Sequence, residues 1–150
     1  LFIAWLIYLY IKKQNAGNET MREIAEMIHK GAMVFLRKEY SILVIFIVVV
    51  FLLMSWKISI YTAVAFLSGA VSSMLAGFFG MNAATRANVR TSQAAFESGQ
   101  AKALNVAFFG GSVMGLSVAS LGLIGIGIFY YFFGKDPATA QVINGYAMGA

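Results

Sequence analysis

SILVIFIVVVFLLMSW, residues 41–56, contains no ionisable side chain and is bounded by Tyr40 and Trp56. Rings of that kind favour the membrane–water interface, so the run reads as a helix crossing a bilayer. It falls short of the roughly 20 residues a crossing needs. The shortfall predicts a helix that starts earlier and continues from the segment before it. Working outward, 58–81 and 106–133 are also free of Asp, Glu, Lys, Arg and His and read as two further spans. LFIAWLIYLY, residues 1–10, ends at Lys12 and Lys13. It lacks the basic front and small-residue cleavage site of a signal peptide, so 1–11 is expected to be the tail of a partial span in a chain truncated upstream.

Composition agrees with this class. Of 150 residues, 60% are hydrophobic and 11% charged, with a mean hydropathy of +0.78. A soluble domain carries about 25% charged residues. The chain is therefore expected to be a multi-pass integral membrane protein of all-α class. A pI near 9.6 could suggest nucleic acid. The basic residues, however, lie between apolar spans and form no continuous basic face, which excludes that partner. With no cysteine, disulfides, thiolate metal sites and cysteine nucleophiles are excluded.

Between the first two spans, Gly17 and Asn18 precede Thr20-x-x-Glu23, a capping-box pattern. Met21, Ile24, Ile28, Ala32 and Phe35 then recur every three or four residues, which predicts an amphipathic helix over 19–40. The segment 82–105 is expected to be a loop between spans. GKDPATAQ, 134–141, holds the chain's one proline, Pro137, and reads as an exposed turn. Val142–Ala150 is too short to classify.

Every lysine and arginine except Lys57 and Lys135 falls in 11–40 or 82–105. By the positive-inside rule those two segments are cytoplasmic, and the turns at 57 and 134–141 are external. Arg86 and Arg90 are explained most simply as topology anchors where an apolar span ends. The other reading is a role in binding an anion or docking another part of the protein. His29, near Glu23 and Glu26, reads as a solvated residue of a surface helix.

Two stripes of small residues, Ala65, Gly69, Ser73, Gly77 and Ala107, Gly111, Gly115, Ala119, have the spacing that lets membrane helices approach closely. GGSVMGLS, 110–117, has the glycine spacing of a phosphate loop, but Leu116 stands where the lysine is required. The sequon NET at 18–20 lies on the expected cytoplasmic side, where it would not be glycosylated. Spans without ionisable groups do not suit an ion path, which needs paired or cavity-facing charges. They suit an outer scaffold.

GNETMREIAEMIHKGAMVFLRKEY (17–40), SGAVSSMLAGFFGMNAATRANVRTSQAA (68–95) and KALNVAFFGGSVMGLSVASLGLIGIGIF (102–129) together resemble the amino-terminal region of the membrane-bound, ion-translocating pyrophosphatases. The resemblance implies a polytopic transmembrane helix bundle of about sixteen spans per subunit, each of the roughly 20 residues a bilayer requires. It implies a homodimer in the cell (inner) membrane that hydrolyses inorganic pyrophosphate with Mg2+ and moves H+ or Na+ outward. Its chemistry would be magnesium-assisted attack of water on a phosphoanhydride. The family's aspartate-rich catalytic motifs have no counterpart here, since the one aspartate, Asp136, is on the expected external side. No catalytic, cofactor-binding or metal-ligating residue is therefore assigned within 1–150, and this segment alone is expected to be inactive. A non-enzymatic secondary transporter, or a membrane scaffold subunit, would show similar spans and charge bias.

Overall fold

A computed structural model describes residues 1–136 and 139–150. Pro137, expected in an exposed turn, lies outside the described residues. Five helices follow one another: α1 (Phe2–Lys13), α2 (Glu19–Lys57), α3 (Ile60–Ser98), α4 (Gln100–Phe133) and α5 (Gln141–Gly149). No strand occurs among the described residues. α2, α3 and α4 are each long and apolar enough to cross a membrane. The 39 residues of α2 extend about 58 Å at 1.5 Å per residue, nearly twice a hydrocarbon core of about 30 Å.

The helix ends explain these lengths. α2 begins at Glu19, where the amphipathic helix is expected, but its capping residue is Asn18 and not Thr20. The Asn18 side chain accepts a hydrogen bond from the Met21 amide at 2.9 Å, which makes Asn18 the N-cap. Gly17 ahead of it has φ +80°, and its amide donates to Asn15 Oδ1. From there no proline interrupts the chain until past residue 57, so the amphipathic stretch and the 41–56 run form one helix. Ser59 starts α3 by accepting from the Tyr61 amide through its hydroxyl. The 82–105 segment, expected to be a loop, is helical except at Gly99. This glycine, at φ +79°, is the single residue between α3 and α4. Nothing in 82–98 breaks a helix, and only a residue tolerant of the left-handed region ends one so abruptly.

The described residues divide into two compact units. The first comprises Leu1–Arg37 and Gly77–Ser117. Its core joins Ala4 and Ile11 of α1 to Ala83 and Ala87 of α3 and Val113 of α4, with Tyr8 and Phe109 packed alongside. A second small cluster holds Ala94, Ala103 and Val106. The buried face of α4 is Ala103, Val106, Gly110, Val113 and Ser117. A Cβ added at Gly110 would stand 2.5 Å from the Ala87 Cβ. This seam lies beside the expected stripe, whose Ala107, Gly111, Gly115 and Ala119 are all exposed in this chain. The reason is geometric. Steps of four residues advance about 40° beyond a full turn each, so such a stripe winds off a face that alternating steps of three and four stay on.

The second unit comprises Lys38–Ala76 and Val118–Ala150. Ile47 and Met54 of α2 pack on Ala63, Phe66 and Ala70 of α3. The Tyr40 hydroxyl donates to the Met74 carbonyl. Ala65, Val142 and Tyr146 form a second cluster with Phe129 and Phe133. Tyr146 is 1% exposed, its ring lies over Gly125, and its hydroxyl donates to the Leu121 carbonyl at 2.8 Å. Gly145 and Gly149 bring α5 against the backbone of α3 at Thr62 and Phe66. The α3 stripe differs from its α4 counterpart: Ala65 and Gly69 are buried, Gly69 against Tyr146, and only from Ser73, which is exposed, does it leave the packed face.

In both units the helical hydroxyls turn back on their own helices. Ser68, Ser72, Ser112 and Ser117 donate to the carbonyls of Ala65, Ser68, Phe109 and Val113.

Candidate functional site

The polar residues of the first unit converge where α1 ends and α2 begins. Arg86 and Arg90, four residues apart on α3, occupy one face of that helix. Arg86 Nη1 lies 3.2 Å from Glu26 Oε2 of α2. Arg90 Nη1 donates to the Arg86 carbonyl at 2.7 Å, and its Nη2 donates to the Lys12 carbonyl at 3.4 Å. Lys12 belongs to the last turn of α1, where unpaired carbonyls and the helix dipole favour a cation. The two arginines thus tie α3 to α1 and α2, and their partners are protein groups. With 37% and 47% of their side chains exposed, the Arg86–Glu26 pair contributes under about 1 kcal/mol.

Lys12, Asn15, Arg22, Glu26, Arg86 and Arg90 line a cavity of about 460 Å³. Arg90 lies beyond the apolar 58–81 stretch. Burial, followed by the neighbouring Arg86 guanidinium, pushes it below its ordinary value. Its Nε is buried and, among the described residues, has no hydrogen-bond partner. Nearby, Glu97 accepts from Gln93 at 2.7 Å and from Asn15 at 3.0 Å, which holds the α1–α2 connection to α3.

His29 differs from expectation. It is half-buried, with Nδ1 2.8 Å from the hydroxyl of buried Thr85. The Thr85 hydroxyl also lies 2.9 Å from the Met81 carbonyl and 3.2 Å from that of Asn82. A histidine on the α2 face nearest α3 is thus a bridging residue as well as a surface one.

Among the described residues no three His, Asp or Glu side chains come together as metal ligands. What the arrangement offers chemically is cationic: guanidinium and ammonium donors around a cavity, suited to recognising an oxyanion. The sequence signalled Arg86 and Arg90 by their spacing. It carried no signal for Lys12, Arg22 and Glu26 as their neighbours.

Comparison with known proteins places this architecture. The family model described as "Inorganic H+ pyrophosphatase" matches residues 1–150. A Clostridium tetani protein assigned, by name only, as a K+-stimulated pyrophosphate-energized sodium pump is 50% identical over 150 residues, covering 100% of this chain and 22% of the relative. The K+-insensitive pyrophosphate-energized proton pump of Methanosarcina mazei is 39% identical over 142 residues, 93% of this chain and 20% of the relative. The K+-stimulated pyrophosphate-energized sodium pump of Thermotoga maritima is 39% identical over 141 residues, 91% of this chain and 19% of the relative. The chain spans about a fifth of the length of these curated relatives.

Proposed function

Because the chain belongs to the inorganic H+ pyrophosphatase family, we propose that it is part of a membrane pump that couples pyrophosphate hydrolysis to outward transport of H+ or Na+. Within that pump residues 1–150 supply scaffold helices. The observation that carries this assignment is the absence of Asp, Glu, Lys, Arg and His from 41–56, 58–81 and 106–133. A transported cation requires charged or cavity-facing groups at membrane depth, and these segments offer none.

Among the described residues no three His, Asp or Glu side chains come together as a ready-made metal site. We place Mg2+ and the hydrolytic site on the remainder of the protein. The basic segments 11–40 and 82–105 are cytoplasmic in this reading, the pump sits in the cell membrane, and two copies assemble as a homodimer.

The experiment is ion uptake by vesicles carrying the full-length protein. Pyrophosphate addition should drive H+ or Na+ into inside-out vesicles, and residues 1–150 alone should hydrolyse nothing. Pyrophosphate-independent solute exchange would favour a secondary transporter. Neither hydrolysis nor transport would leave a scaffold subunit.

A further inference from the structure

The cavity between the end of α1, the start of α2 and the basic face of α3 has more positive charge than its own partners neutralise. Lys12, Arg22, Arg86 and Arg90 line it against one carboxylate, Glu26, which is already paired with Arg86. Arg90 uses one N–H of each terminal nitrogen on a carbonyl, which leaves the second N–H of each for a further acceptor. The amide of Asn15 adds a neutral donor at the rim. Donors that approach from three helices suit a tetrahedral oxyanion.

Position narrows the source of that anion. Lys12 immediately follows the apolar stretch of α1, and Arg86 follows the end of the apolar 58–81 stretch of α3. The cavity therefore sits at the boundary where apolar helix gives way to polar chain. Basic pockets at that level take phosphate headgroups, and soluble phosphate reaches the same depth from the aqueous side.

We propose that this cavity binds a phosphate group through Arg22, Arg90 and Lys12, with Glu26 limiting the affinity. Binding is measured without turnover, so its outcome is separable from that of the pumping assay. Full-length protein is purified, stripped of lipid and followed by thermal unfolding in two arms. One arm titrates inorganic phosphate in detergent. The other compares phosphatidylcholine nanodiscs with and without phosphatidylglycerol. The arm that stabilises the wild type identifies the source.

Arg22 is exposed, so Arg22→Gln should fold normally. It should weaken binding about tenfold, the loss of one charge-assisted contact, and Arg22→Lys should recover most of it. Glu26→Gln should tighten binding, a change that misfolding does not produce. Phosphate held elsewhere in the pump would respond equally in wild type and variants, so the difference reports on the cavity. An unchanged affinity in Arg22→Gln, or no stabilisation of the wild type in either arm, would overturn the proposal.

Discussion

Gly110 and Gly111 are adjacent on α4, yet the structure assigns them opposite roles. A Cβ at Gly110 would lie 2.5 Å from the Ala87 Cβ, whereas a Cβ at Gly111 meets nothing within 4 Å. Replacing either by alanine brings the same gain in helix propensity, up to about 1 kcal/mol. The difference between the two variants therefore isolates the contact. To restore ordinary carbon–carbon separation, α3 and α4 must part locally by about 1 Å, which forfeits a quarter to a half of each neighbouring dispersion contact. Overpacking of this size costs about 1–3 kcal/mol. Gly110→Ala should thus be about 1–3 kcal/mol less stable than Gly111→Ala. Denaturant titration of the full-length protein in detergent, followed by circular dichroism, measures this. Ala87→Gly removes the opposing carbon and should rescue Gly110→Ala, with a coupling of about 1 kcal/mol or more in a double-mutant cycle. Equal stability of the two single variants, or additivity in the cycle, would refute the close seam.

At the start of α2, Asn18→Ala should cost about 1 kcal/mol through loss of the Met21 amide's acceptor, while Thr20→Ala should be near neutral. The same titration ranks them. Tyr146→Phe keeps the buried ring but removes the donor to the Leu121 carbonyl. It should lower stability by about 1 kcal/mol and leave the helical content by circular dichroism unchanged. For orientation, reporters fused after Asn15 or Gln93 should read cytoplasmic and one after Asp136 external. The inverse pattern would refute the charge-bias argument.

The membrane helices were legible because their signal is local. Residues 41–56 are apolar without interruption, and the same stretch is too short to stand alone, which led directly to the continuous α2. The α3–α4 junction is not legible from charge: the basic residues of 82–105 suggest a loop, whereas helix continuity depends on breakers, and the first is Gly99. The small-residue stripes are visible as composition, but on α4 the buried residues lie one residue before Ala107 and Gly111 and two before Gly115 and Ala119, since four-residue spacing does not match 3.6 residues per turn. The basic cavity was the least legible feature. Arg86 meets Glu26 across 60 residues of sequence and Arg90 meets Lys12 across 78. Pairings at that separation are decided by how the helices pack, which no local pattern records.

The back-bonded hydroxyls have a consequence for how such a chain enters a bilayer. Hydropathy scales charge every serine for a hydroxyl removed from water, as though it arrived in hydrocarbon unbonded. Ser68, Ser72, Ser112 and Ser117 need no neighbouring helix for their bond, because the carbonyl acceptor is already in place once the helix has formed. The apolar stretches of α3 and α4 can therefore pass from the insertion machinery into lipid with these hydroxyls already bonded, before they pack against the other helices. In α4 this hides the polarity of the seam residue Ser117 until packing buries it.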